Sequence, residues 1–313
     1  MKEIRVVFIY NYFDAHCDTM SKMYKDRLGL DSPELMVNTG NLRGYESAIQ
    51  VFALFNEGDL NEEKVISVLD FFKCQCKKLK NVVSVCTSKH QIDENKRLLS
   101  AILAIEGLGN QPDFNIKAVK RLYDAGVRFM SLCWNNDNSL CGGCEGSGTG
   151  LTDLGRQTLA EMEKYKIILD VSHMSDKSFW EGLENYSLPL CATHSVSRKV
   201  HNHRRNLTDE QFVAIAKRGG VCGINFYPPF LCEEKAEIST IIRHIEHFMA
   251  LGGENSIGLG SDFDGISETP YDIKNSADFY KLFDALLALN YSEEIVEKIA
   301  YKNFKNLFAK FTA

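Results

Sequence analysis

Short apolar runs alternate with amphipathic stretches along this chain. Runs at residues 6–10, 48–55, 101–105, 127–132, 167–171, 189–193, 221–226 and 256–260 have the length and composition of buried strands. The stretches between them carry apolar residues three and four apart. Val65, Ile66, Leu69, Phe72 and Leu79 predict a helix over 62–80, with a shorter one at 91–99 and others at 116–125, from about 152 to 165, and at 176–185. Thr208-Asp209-Glu210-Gln211 reads as a capping-box start for the next helix, which Gly219-Gly220 stops. Ile238, Ile241, Ile242, Ile245, Phe248 and Met249 mark a strongly amphipathic helix closed by Gly252-Gly253, and two more helices are expected at 276–289 and 292–311. The first two runs are joined by a long polar connection. Residues 138–150, with five glycines in thirteen positions, read as a mobile loop.

Eight strands alternating with helices predict an α/β fold, a single-domain (β/α)8 TIM barrel over residues 1–313. A doubly wound open sheet would carry a glycine-rich nucleotide fingerprint after the first strand, and none is there. In a barrel of this kind the functional site lies where the strands end. Five of the eight end in a potential ligand or proton carrier: His16 with Asp18, Glu106, His173, His194 and Asp262. Side chains two apart on an extended strand point the same way, so His16 and Asp18 project together while Cys17 faces away.

Imidazoles and carboxylates in this mixture suit zinc ahead of manganese or iron. Two such ions need a bridging carboxylate. The arithmetic puts His16, Asp18 and Glu106 on one ion and Glu106, His173 and His194 on the other. The expected chemistry is attack by a metal-bridged hydroxide on a carbonyl, with Asp262 shuttling the proton and Asp264 as its competitor. His244 and His247, three apart near the end of a helix, read as exposed residues complementing the helix dipole, not as ligands.

Composition removes several classes of partner. A net charge of -6 gives no reason to expect nucleic acid or an anionic membrane, and no apolar run approaches the ~18 residues of a span. The first ten residues show no signal-peptide pattern, so the expected location is the cytoplasm and the ten cysteines are expected as free thiols. Cys141 and Cys144 alone have redox or zinc spacing.

The same residues resemble a known family. His16-x-Asp18, Ile105-Glu106-Gly107, Asp170-Val171-Ser172-His173, Thr193-His194-Ser195, Arg205-Asn206 and Gly260-Ser261-Asp262-Phe263-Asp264-Gly265 are together similar to the membrane dipeptidase (renal dipeptidase) family of zinc peptidases, within the amidohydrolase superfamily. The resemblance implies two Zn2+ per chain on His16, Asp18, Glu106, His173 and His194, with Glu106 bridging. It further implies Arg205 on the substrate's free carboxylate, Asp262 as proton shuttle, and a homodimer that cleaves dipeptides, including those with a D-residue in second place. Trp134 stands where the best-known members carry a substrate-binding His, as in the bacterial branch, and is expected to wall the pocket. Two other readings compete. One is an amidohydrolase acting on N-acyl amino acids, lactams or lactones; the other is a metal-binding protein without turnover.

Overall fold

The computed structural model describes residues 10–312. It contains nine parallel strands: β1 (Tyr10–Cys17), β2 (Tyr45–Phe55), β3 (Val83–Val85), β4 (Leu99–Glu106), β5 (Val127–Ser131), β6 (Ile168–Asp170), β7 (Cys191–Ser195), β8 (Val221–Ile224) and β9 (Ile257–Leu259). The sheet order is β2-β1-β9-β8-β7-β6-β5-β4-β3, and an additional β2–β4 pairing closes eight of them into a barrel. Seven of the eight expected strands are found; the first, expected at 6–10, lies outside the described residues but for Tyr10, and β1 instead runs from Tyr10 to Cys17. β3 is the ninth; it pairs with the start of β4, Val83 against Leu99 to Val85 against Ala101, beside the closed ring.

Helices flank the strands as expected, with local differences. The connection after β1 is not purely polar coil: it holds a helix at Thr19–Asp26 and a short 3-10 turn at Thr39–Leu42. The helix expected at 91–99 covers only Lys89–Asp93, because Leu98 and Leu99 already turn into β4. The capping box at Thr208 forms as read, its hydroxyl taking the Gln211 N–H and the Gln211 side chain taking the Thr208 N–H.

The strands are buried on both faces, the inner one by side chains filling the barrel and the outer one by helices. Every residue of β4 is buried, which is why it reads as an unbroken apolar run and not as an alternation. The helix Glu62–Lys78 covers β2 with Val65, Val68, Leu69 and Phe72, the Phe72 ring 4.7 Å from that of Phe52. Each such buried side chain contributes about 1.5–3 kcal/mol. Among the described residues no helix is long and apolar enough to cross a membrane.

The glycine-rich loop is tied down and not free. The Asp137 carboxylate accepts the N–H groups of Gly143 and Ser147, and short bridges join Cys141 to Leu151 and Gly143 to Met174. All ten cysteines are free thiols, with Cys141 buried and Cys144 half-buried.

His244 is also unlike its sequence reading. On the helix Ile238–Ala250 it is fully buried; Nδ1 accepts the Ser197 N–H at 3.1 Å and Nε2 donates to the Leu231 carbonyl at 3.0 Å. His247 is the outer one, 2.7 Å from Asp209. Burial holds His244 down at about 4, so the folded protein keeps it neutral where the unfolded chain takes up a proton. The unfolded state therefore binds more protons between pH ~6.5 and ~4, and this group's stabilisation, complete above that window, is lost as pH falls through it. Urea denaturation of wild type and His244→Asn across the window is expected to show the wild type losing on the order of 3 kcal/mol more than the variant.

Candidate metal centre and substrate cavity

The functional side chains gather at one end of the barrel, each placed by the last residues of a strand. β1 delivers His16; the chain then turns into the helix Thr19–Asp26 with Asp18 as its N-cap residue, so both face the site. Cys17 points away, its thiol against the Val51 carbonyl. β4 ends on Glu106 and β7 carries His194. His173 follows β6 and Asp262 follows β9, both with left-handed backbones, φ 71° and 62°. That conformation costs a non-glycine residue about 1–3 kcal/mol, and it aims both side chains inward. A Cβ at Gly265 would collide with the carboxylates of Asp18 and Asp262, so only glycine lets the chain pass there.

Distances divide the cluster into two halves that share Glu106. His16 Nε2 lies 3.5 Å from Asp18 Oδ2, 3.5 Å from Glu106 Oε2 and 3.9 Å from Asp262 Oδ1. His173 Nε2 lies 2.9 Å from Glu106 Oε1 and 2.9 Å from His194 Nε2, and His194 Nε2 is 3.5 Å from the same oxygen. One carboxylate thus presents each of its oxygens to a different set of imidazoles. His16 Nε2 and Asp18 Oδ1 are buried with no hydrogen-bond partner, and ligand atoms of His16, Glu106 and His194, like those of His16, Asp18 and Asp262, lie within 4.8 Å of one another. Unpaired buried donors and acceptors are costly unless something else satisfies them. A cation among these atoms does so, and the donor set of imidazole and carboxylate fits zinc.

The electrostatics agree. Burial disfavours charge on His16, yet Glu106 and Asp18 hold its pKa well above the usual value, so a positive charge belongs there, whether as a proton or a metal ion. Burial would raise Glu106, but His16 and His173 hold it well below the carboxylate range. His194 is depressed by burial, by His16 and by Arg205; His173 falls to about 4 through burial and Arg205. Both remain neutral, with lone pairs to give. Burial, with Asp18 and Glu106 adding, pushes Asp262 up to about 8.

A cavity of about 730 Å³ opens over the cluster, reached by Asp18, Glu106, His173 and Asp262. Trp134 lines it as expected, its ring edge-on to Phe55 at 5.0 Å, with Tyr227 and Phe230 on its lining as well. Arg205, expected on the substrate's free carboxylate, is not among the residues that line this cavity. Its basic neighbourhood reads as a solvated loop, but the side chain is buried, 4% exposed, donating to Ser195 Oγ at 2.8 Å and the His194 carbonyl at 2.9 Å. Among the described residues it has no carboxylate partner, and its Nε is unpaired. Asp264 is already engaged by Thr19 Oγ1 and the Met36 N–H, which leaves Asp262 as the available carboxyl.

Several supporting residues escaped the sequence reading. Asn225 donates to Asp262 Oδ2 at 2.9 Å, its own Oδ1 taken by the Tyr227 N–H. Asn135 Oδ1 is 2.7 Å from His173 Nδ1. Asp170 and Thr193 sit behind His16 and His194. Their one signal was adjacency, since Asp170 and Thr193 stand in the segments that carry His173 and His194.

The family model for membrane dipeptidase, peptidase family M19, matches residues 2–311. The chain belongs to the membrane dipeptidase family. An uncharacterized protein from the pqqA 5' region of Klebsiella pneumoniae is 34% identical over 234 residues, 70% of this chain and 86% of that one. An uncharacterized dipeptidase of Schizosaccharomyces pombe is 31% identical over 69% of this chain, which spans only 54% of that longer protein. The fold is shared with a metallopeptidase from Rhodobacter sphaeroides solved with a phosphinate mimic of the dipeptide L-Ala-D-Ala, at a TM-score of 0.87 and 22% identity over 98% of this chain and 100% of that one. Membership in this metallopeptidase family implies a metal cofactor, and His16 with Glu106 and His194, or with Asp18 and Asp262, could hold one.

Proposed function

We propose that this membrane dipeptidase family member is a zinc-dependent enzyme that hydrolyses dipeptides, L-Xaa-D-Xaa among them, to free amino acids. The observation that carries the reading is Glu106, whose two oxygens face two separate imidazole sets while Asp262 stands beside them at the cavity floor. His16, Asp18 and Glu106 would hold one ion, and Glu106, His173 and His194 the other. Bound zinc supplies Lewis-acid polarisation of the scissile carbonyl and lowers the pKa of water.

The protein's own groups do the rest. Asp262 Oδ2 is held by Asn225, so Oδ1 is the atom that takes a proton from the attacking water and passes it to the leaving amine nitrogen. Trp134 and Phe55 form a rigid aromatic wall for a substrate side chain. Arg205, a buried guanidinium without a counter-ion among the described residues, is the group for the substrate's terminal carboxylate, which Arg binds as a fork. A cavity of about 730 Å³ also favours a second reading, N-acyl amino acids with a bulky acyl group.

The test is a panel of L-Xaa-L-Xaa and L-Xaa-D-Xaa dipeptides, L-Ala-D-Ala first, with carboxylate-blocked analogues and N-acyl amino acids, before and after chelation. Chelator-sensitive dipeptide cleavage restored by zinc is the expected result; cleavage indifferent to chelation overturns it. Arg205→Lys is expected to raise KM for free dipeptides about 10–100-fold, the worth of a charged hydrogen bond, and to leave blocked analogues unchanged. Equal effects on both would remove Arg205 from the carboxylate role.

A further inference from the structure

Thr193 lies on β7 immediately before His194 and is buried, 1% exposed. Its hydroxyl oxygen meets three polar groups: Asp170 Oδ2 at 2.5 Å, His194 Nδ1 at 2.8 Å and His16 Nδ1 at 3.2 Å. The two imidazoles lie partly over one another, ring centres 3.7 Å apart, which brings both Nδ1 atoms to the same oxygen. The strand is held close on its far side too, because a Cβ at Gly260 would collide with the Thr193 carbonyl.

A hydroxyl has one proton and two acceptor positions, and a carboxylate only accepts. Asp170 Oδ1 receives the N–H groups of Ser172 and Thr193, both at 2.9 Å, which fixes the carboxylate. The Thr193 proton therefore goes to Asp170 Oδ2. Its two acceptor positions remain, and both neighbours must fill them as Nδ1–H donors. If either ring carried its proton on Nε2 instead, two lone pairs would face each other across about 3 Å, and an N–H would point into the site where a lone pair is needed.

From this we propose that Thr193, anchored by Asp170, is a positioning residue that fixes the tautomer and ring orientation of one histidine in each half of the metal centre. Through one hydroxyl the two halves are prepared together. His173 is outside this arrangement, since its Nδ1 is held separately by Asn135. The inference rests on the reading of His16 and His194 as ligands of two different ions, and is independent of which substrate is cleaved.

The experiment titrates zinc into the purified, metal-stripped full chain against a chromophoric chelator, reading stoichiometry and both affinities. Loss of an outer partner of a ligating histidine weakens metal binding about 10–100-fold. Thr193→Val is expected to weaken both ions by that factor, and Thr193→Ser, which keeps the hydroxyl, to bind like wild type. Asn135→Ala is expected to weaken only one. Asp170→Asn covers the case in which Thr193→Val does not fold. The Asn oxygen would keep the two backbone N–H groups and its amide would donate to Thr193, forcing the hydroxyl proton onto a histidine, so at least one ion should weaken about 10–100-fold.

Thr193→Val losing one ion or none overturns the proposal, as does Thr193→Ser behaving like Thr193→Val, or Asp170→Asn binding both ions normally. Wild type that binds fewer than two zinc ions would instead overturn the two-zinc reading on which it rests.

Discussion

Asp262→Asn is expected to lower kcat by about 10²–10⁴-fold, the usual contribution of a positioned proton carrier, while the protein keeps its metal. The substitution retains size and the contact with Asn225 but cannot carry a proton. Asp262 is set by a left-handed backbone, with one oxygen tethered at 2.9 Å and the other facing the cavity. Burial, with Asp18 and Glu106 adding, raises this carboxyl far above an ordinary aspartate and toward neutrality, where a group can both take up and release a proton. Steady-state kinetics with metal analysis on the same samples checks it. Turnover at wild-type rate would remove Asp262 from the reaction, and Asp264 would be a poor replacement because Thr19 and Met36 already occupy its oxygens.

Glu106→Gln is expected to abolish tight binding of both ions and reduce hydrolysis to background. Glu106 Oε1 faces His173 and His194 while Oε2 faces His16, and among the described residues no other carboxylate is paired with all three. The amide removes the negative charge and turns an N–H toward imidazole lone pairs on one side or the other. A ligand that binds the folded state raises its stability by RT ln(1 + [L]/Kd), so zinc at 100 times Kd adds about 2.7 kcal/mol. Thermal unfolding is therefore expected to shift upward with zinc in wild type and to stay fixed in Glu106→Gln. A variant that still takes two ions with wild-type affinity would show that Glu106 is not the bridge.

The aspartates and histidines of the site were legible because parallel barrel strands are buried on both faces and stop abruptly. An apolar run such as Leu99–Glu106 that ends on a charged residue marks the place where the chain leaves the core. His244 was misread for a related reason: helical spacing gives the face of a residue but not what covers that face, and here the Ser197 N–H and the Leu231 carbonyl do. The glycine loop was misjudged because its ties to Asp137 and Met174 come from elsewhere in the chain or depend on its own folded shape.

By itself the sequence determined the alternation of strands and helices, the barrel it closes into, and the six candidate positions at the strand ends, since each is a property of local periodicity and of where that periodicity breaks. Only the tertiary structure decided how those residues are arranged around Glu106, that Arg205 is a buried cation lacking a carboxylate partner among the described residues, and that one Thr193 hydroxyl stands behind both His16 and His194. Apart from the neighbouring Thr193 and His194, these contacts join residues distant in the chain, Thr193 and His16 being 177 positions apart, and their geometry is set when the barrel closes.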